Sequence, residues 1–140
     1  MQSLTDPATI EGCLARIQQA WNDGDATAFA NEFTYDASYV IFAGIISLGR
    51  AAIERDHEPV LQNWQRGSRM TMKVIEIREV APGVAVVVTE GSIGKGTRIP
   101  LNKVQTFVLV REGEVWKCAA FQNTKKNGVF IRMNALFDRR

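Results

Sequence analysis

The chain has 140 residues, 46% of them hydrophobic and 23% charged, and a formal net charge of +2. That is the length of one domain with enough apolar material for a core, which excludes a disordered chain and removes the need for disulfides or metals as staples. So small a charge, with basic residues scattered apart from Lys125-Lys126 and Arg139-Arg140, argues for no nucleic-acid partner.

The opening MQSLTDPATI has neither the basic start nor the apolar run of a leader peptide, and no later stretch is long enough to cross a membrane. The expectation is a cytoplasmic protein with no membrane partner. Cys13 and Cys118 fall in a helical and a strand pattern, and each reads as a small buried apolar residue with a reduced thiol. Thr5-Asp6-Pro7 is a helix start signal, after which Ile10, Cys13/Leu14, Ile17 and Trp21 recur at helical spacing. The stretch WNDGD, residues 21–25, breaks that pattern, and Asp25 is placed to cap a short second helix over 26–33. Tyr35-Asp36 ends this helix, SYVIF (38–42) begins a strand, Gly44 bends the chain, and 45–48 form a second short strand.

Gly49-Arg50 leads into a third helix over 50–65, whose apolar stripe is Ile53, His57, Val60/Leu61 and Trp64. Pro59 predicts a kink or break near Glu58. Long strands follow at 70–80, 84–93, 101–111 and 115–123, joined at Ala81-Pro82-Gly83 and Glu112-Gly113-Glu114 by turns tight enough for antiparallel hairpins. The tail VFIRMNALF, after Asn127-Gly128, is apolar enough to pack on something. Helices first and long strands afterwards predict an α+β fold, with helices covering one face of a curved sheet and a pocket at its open end. The whole chain, 1–140, reads as one domain with a core over about 8–125 and a C-terminal tail over 126–140.

Two motifs fail as chemistry. If Gly24 were the glycine of a calcium loop, its ligands would be Gln19, Trp21 and Asp23, and its closing glutamate would be Ala30. GSIGKGTRIP, residues 91–100, lacks the spacing of a phosphate-binding loop. No metal or other cofactor is expected. His57, the only histidine, is either a core histidine with one hydrogen bond or a pocket group that binds or moves a proton. Glu90 shares strand parity with Val86 and Val88, so it is either a partly desolvated carboxyl with a raised pKa or already in water.

Taken together, Trp21-Asn22-x-Gly24-Asp25, Phe29-Ala30, Asp36-Ala37, Gly44, Gly49-Arg50-x-x-Ile53 with His57, and Trp116 with Phe121-Gln122-Asn123-Thr124 resemble the nuclear transport factor 2-like superfamily. The likeness is greater to its SnoaL-like branch, the small bacterial proteins grouped with SgcJ and EcaC. The resemblance implies a cone-shaped barrel, a strongly curved antiparallel sheet wrapped around three N-terminal helices, usually dimeric through the outer sheet face. It sets the three active residues of ketosteroid isomerase on Ile41, Ile17 and Gln105, of which neither isoleucine can do the isomerase's work.

The same likeness puts Tyr39, Ile41, Val88, Glu90, Gln105, Cys118, Ala120 and Gln122 on the concave face, with His57 beside the catalytic network. Trp116 shares parity with Cys118 and joins the wall. These residues imply a pocket for a small hydrophobic or aromatic, polyketide-like ligand, and an accessory binding role in secondary metabolism. The alternatives are a cyclase, isomerase or dehydratase using His57 as general acid or base with Glu90 or Tyr39 assisting, and a non-catalytic dimeric scaffold. For a SnoaL-like cyclase the aspartate candidates are Asp36 and Asp56.

Overall fold

The computed structural model describes Leu4 and residues 6–138, so the Thr5 part of the start signal and Arg139-Arg140 lie outside the described residues. Helix α1 runs Ile10–Asn22 and is capped by Thr9, whose hydroxyl accepts from the Gly12 N–H, rather than by the Thr5-Asp6-Pro7 signal. Its buried stripe, Cys13, Leu14, Ile17, Ala20 and Trp21, has the period of a one-sided helix.

WNDGD is architecture. The Trp21 indole N–H donates to Ser68 Oγ at 3.0 Å in the core. The Asn22 side chain accepts from the Met70 N–H at 2.8 Å, pinning the start of the next long strand to the end of α1. Gly24 turns the chain at φ 69°, which an L side chain rarely adopts. Asp25 then caps α2, Ala26–Ala30, by accepting from the Ala28 N–H.

Helix α2 is shorter than its pattern, because β1, Phe33–Val40, begins five residues before SYVIF. Phe33 and Thr34 are buried in the strand, and their apolar-then-polar order reads equally well as the end of a helix. Strand β2 is Ile46–Leu48, and α3 spans Arg50–Pro59. At Pro59 the helix gives way to a π-helical turn, Val60–Trp64, in which the Gln65 N–H reaches back to the Val60 carbonyl at 2.7 Å. The predicted break is real, and it has a consequence for Trp64 described below.

The remaining strands are β3 (Arg69–Ala81), β4 (Val84–Gly94), β5 (Lys103–Glu112) and β6 (Val115–Lys125), followed by helix α4 (Gly128–Phe137). They complete a six-stranded sheet in the order β2-β1-β6-β5-β4-β3. Every neighbouring pair is antiparallel except β1 with β6, which is parallel. The sheet is therefore mixed and unclosed rather than wholly antiparallel. Bulges in β3 and β6 bend it around the helices. Helix α1 lies against β3 and β6, and α3 against β1.

The core sits inside that curve, where Phe29, Phe33, Ile53, Val87, Phe107, Leu109 and Cys118 are almost wholly buried. Phe29 is its centre. Its ring meets Trp21 at 5.8 Å, Phe33 at 5.2 Å, Tyr39 at 6.0 Å and His57 at 4.6 Å. The tail forms α4, a helix on which every residue is exposed and none is buried against the rest of the described residues.

Candidate functional site

At the open end of the sheet a cavity of about 400 Å³ lies between the β1–β2 hairpin and the corner where α3 becomes the π turn. A recess of about 30 Å³ adjoins it, sharing Tyr39, Ile93, Lys103 and Asn123 as walls. The larger volume is in the range of small-molecule sites, and the recess has room for about one or two waters.

His57 reaches this cavity because it lies one turn after the fully buried Ile53 on α3. Its Nδ1 lies 2.7 Å from the Ile53 carbonyl oxygen. A carbonyl only accepts, so Nδ1 carries the proton and Nε2 keeps its lone pair. No protein partner for Nε2 occurs among the described residues, and no buried side-chain nitrogen or oxygen there lacks a partner. Nε2 must therefore open into the cavity that the ring lines. Burial lowers the imidazole below its ordinary 6.5, while the Ile53 carbonyl and the Asp56 carboxylate pull it back only partly. The group is a neutral base at neutral pH.

Tyr39 stands edge-on to His57, with ring centroids 4.7 Å apart, and stacks on Phe121 at 4.5 Å. Burial pushes its phenol above the ordinary 10.0, so it stays protonated and offers an O–H to the cavity. The Ser47 hydroxyl donates to Asp56 at 2.7 Å, and this bond is the first cause of the low Asp56 pKa. Asp56 and Ser47 both line the mouth, as do Ile41, Phe42, Ile45 and Trp64. The π turn explains Trp64. Its stripe position predicts burial, but the wider turn keeps Leu61 inside at 3% exposure and leaves Trp64 on the rim at 71%.

Neutral His57 gives the fold a pH signature. Unfolded, the imidazole titrates near its ordinary 6.5; folded, it titrates lower. Above 6.5 both states hold it neutral and stability is full. As the pH falls, the unfolded state takes up the proton first, so stability declines until the folded pKa is passed, at up to about 1.4 kcal/mol per pH unit. Asp56 and Glu90 are held below the usual carboxylate range, outside this window. Urea unfolding at pH 7.5, 6.5 and 5.5 should show that decline, and His57→Gln should remove it.

Of the residues expected on the concave wall, Tyr39, Ile41, His57 and Gln105 line the cavity or its recess. The Gln105 carboxamide accepts from the Thr89 hydroxyl at 2.6 Å and lies over Gly91, where a Cβ would meet it at 3.1 Å and the Thr71 carbonyl at 2.3 Å. Val88, Glu90, Ala120 and Gln122 are on the opposite, outer face. On β4 the inward residues are Ala85, Val87 and Thr89, with Thr89 opposite Gln105, so the alternation sends Val88 and Glu90 outward. On β6 the bulge at Ala119 reverses parity between Cys118 and Phe121, turning Phe121 and Asn123 inward and Gln122 outward.

Glu90 is thus no desolvated acid. The Lys126 ammonium donates to it and holds its carboxyl below the usual range. Trp116 and Cys118 point inward but pack in the core rather than on the cavity wall. Burial pushes the Cys118 thiol well up and the Cys13 thiol up to about 12, so both are unreactive. Asp36 accepts from Thr34 on β1 and lines neither cavity.

Lys103 and Asn123 are cavity residues that the sequence reading missed. Lys103 is two residues before Gln105 on the same strand, so the parity that found Gln105 also marks it. Among the described residues no three His, Cys, Asp or Glu side chains cluster in a way that could hold a metal ion. No helix there is long and apolar enough to cross a membrane.

The fold recurs in known structures. A domain of unknown function with a cystatin-like fold from Nostoc punctiforme superposes with a TM-score of 0.78 at 21% identity, covering 99% of this chain and 90% of that one. An uncharacterised cystatin-like protein from Caulobacter vibrioides gives 0.74 at 26% identity, covering 91% and 94%. A protein described as a putative scytalone dehydratase from Novosphingobium aromaticivorans gives 0.71 at 16% identity, covering 84% and 82%. No curated protein matches the sequence significantly. The SnoaL-like domain family matches residues 10–122, from the first turn of α1 to the outward Gln122, and the chain belongs to that family.

Proposed function

We propose that the protein binds a small aromatic or polyketide-like molecule in the cavity at the open end of its sheet, as an accessory factor of the SgcJ and EcaC kind. One observation carries this reading. A cavity of about 400 Å³ has walls of Ile41, Phe42, Ile45 and Trp64, and His57 Nε2 and the Tyr39 hydroxyl open into it with no protein partner among the described residues. Polar groups left unpaired over an apolar floor are what a largely hydrophobic ligand with a few oxygens needs. Tested on the purified chain, a panel of hydroxylated naphthalenes and anthraquinones should raise the melting temperature and quench tryptophan fluorescence. A Trp64→Ala variant should lose most of the quench. A panel without any binder, at concentrations up to about 1 mM, rejects this reading.

The state of His57 supports a second reading, an acid–base enzyme. Its Nε2 is a neutral base beside a protonated Tyr39 phenol, a pair that can take a proton from carbon or oxygen and return one to a carbonyl oxygen. The Novosphingobium relative is described as a putative dehydratase, in keeping with such chemistry. Loss of turnover with ligand affinity retained in His57→Ala would favour the enzyme.

The partner expected at the outer sheet face is a second copy of this chain. That face carries Val40, Val104, Val108 and Ala120 around a groove of about 420 Å³, and no helix among the described residues packs over it. Helix α4 is the complementary piece, apolar and uncovered, and it follows β6 directly. A two-fold dimer in which each α4 lies along the partner's groove covers both surfaces at once.

A further inference from the structure

We propose that the ligand of this cavity is an aromatic carboxylate, with its anionic end held by Lys103. The proposal rests on the binding reading above and adds the charge of the ligand. Lys103 sits on the concave side of β5, opposite Gly91 on β4 and Lys125 on β6, and lines both the cavity and its recess. Its ammonium has no carboxylate partner among the described residues. The cations there that do have one are Arg16 with Glu32, Arg55 with Asp56, Arg78 with Glu76 and Lys126 with Glu90. Lys103 instead makes two long bonds to neutral oxygens, Ser92 Oγ at 3.4 Å and Asn102 Oδ1 at 3.5 Å, and stands 5.1 Å from the Phe42 ring centroid.

A half-buried ammonium facing a cavity with only weak neutral partners is a charge awaiting its counter-ion. Burial, and then the charge of Lys125, hold it below its usual range, a cost that a docked anion would relieve. The carboxylate that does line the cavity, Asp56, is engaged by Ser47 and Arg55. It therefore does not neutralise Lys103.

The surroundings say what else the ligand must be. Asn123 spends its Oδ1 on the Phe42 N–H, at 2.6 Å, so it offers a ligand its amide N–H groups, which are donors to an anion. Asn123 and Lys103 line the same wall and form a two-point cradle for a carboxylate. Beyond them lie Ile41, Ile45, Val60 and Trp64, a slot with no further cation, where a flat apolar body fits. At its far side His57 Nε2 and the Tyr39 hydroxyl remain for a second oxygen function.

The test uses 2-naphthoate and its neutral isostere 2-naphthamide, titrated calorimetrically into the full-length chain at pH 7, where the carboxylate is ionised. The naphthoate should bind about tenfold tighter than the amide to the wild type and to Lys103→Arg. On Lys103→Met the two should bind equally, with the amide's affinity unchanged, which also shows that the variant is folded. Equal binding of both probes to the wild type overturns the anionic assignment and leaves the cavity reading standing, and no variant is needed to see it. A naphthoate preference that survives Lys103→Met likewise overturns the role of Lys103. Binding of neither probe rejects this proposal, and the cavity reading then stands or falls on its own panel.

Discussion

A chain ended at Asn127 is expected to sediment as a monomer at concentrations where the full chain sediments as a dimer. The reason is the state of α4. A helix of ten residues is marginal on its own in water, since the cost of nucleation is not recovered over so few turns. The asparagine cap helps, with the Asn127 side chain accepting from the Phe130 N–H at 3.0 Å, but one cap contributes only about 1 kcal/mol. What a stable α4 requires is a cover for Val129, Phe130, Ile131, Met133, Leu136 and Phe137, which are between 52% and 80% exposed.

These side chains present on the order of 600 Å² per helix, so two helices docked reciprocally approach the lower bound of a stable interface before their grooves are counted. The groove on the outer sheet face is partly apolar, with Val40, Val104, Val108 and Ala120 around a polar middle row of Thr106 and Gln122, and with Ser38 and Thr124 beside them. Val108→Glu, which puts a charge in the groove and leaves α4 intact, should dissociate the dimer as well. A full chain that is monomeric at about 10 μM, or a truncated chain that remains dimeric, would sink this arrangement. If the truncated chain is a dimer but Val108→Glu is not, the sheet faces meet without help from α4.

Much of the frame is legible in the sequence. WNDGD as a helix junction, the break at Pro59 and the four long strands each follow from a local rule, namely a cap, a missing N–H, or alternation between turns. What escaped was decided between elements. The direction of a strand residue depends on every bulge between it and its reference point. The extra residue at Ala119 therefore carries Gln122 to the outer face, although Cys118, four residues earlier, points inward. Glu90 failed for the companion reason: a run of three valines hides which parity faces the helices, and Thr89, not Glu90, meets Gln105 inside.

Lys103 shares the inward parity of Gln105, but a lysine in a strand ordinarily marks the solvent side, so parity alone does not single it out as a wall residue. Trp64 has the spacing of the apolar stripe of α3, which the π turn does not keep. The apolar pattern of α4 is plain in the sequence, but nothing in it says that the helix stays exposed among the described residues.

The largest loss of stability is expected from Phe29→Ala, and it bears on the site as much as on the fold. Phe29 is fully buried and its ring contacts Trp21, Phe33, Tyr39 and His57. Removing it takes away the transfer energy of the ring and leaves a void that α2 and β1 cannot close, since the caps and strand pairing fix both. The expected destabilisation is about 3–5 kcal/mol, read as a fall in the urea midpoint. Phe29→Leu keeps most of the volume and should lose much less, about 1–2 kcal/mol.

The recess below Tyr39 is walled in part by the same ring, so the leucine variant enlarges it without opening the mouth. A ligand whose affinity depends on the Tyr39 hydroxyl and His57 Nε2 should then weaken, because both rings rest edge or face against Phe29 and lose that support. A ligand held chiefly at the mouth, by Trp64 and Lys103, should bind Phe29→Leu as it binds the wild type. Comparing those two affinities separates a cavity that works from its floor from one that works from its rim. A loss below about 1 kcal/mol for Phe29→Ala would mean that the aromatic cluster is not the support on which His57 and Tyr39 are positioned.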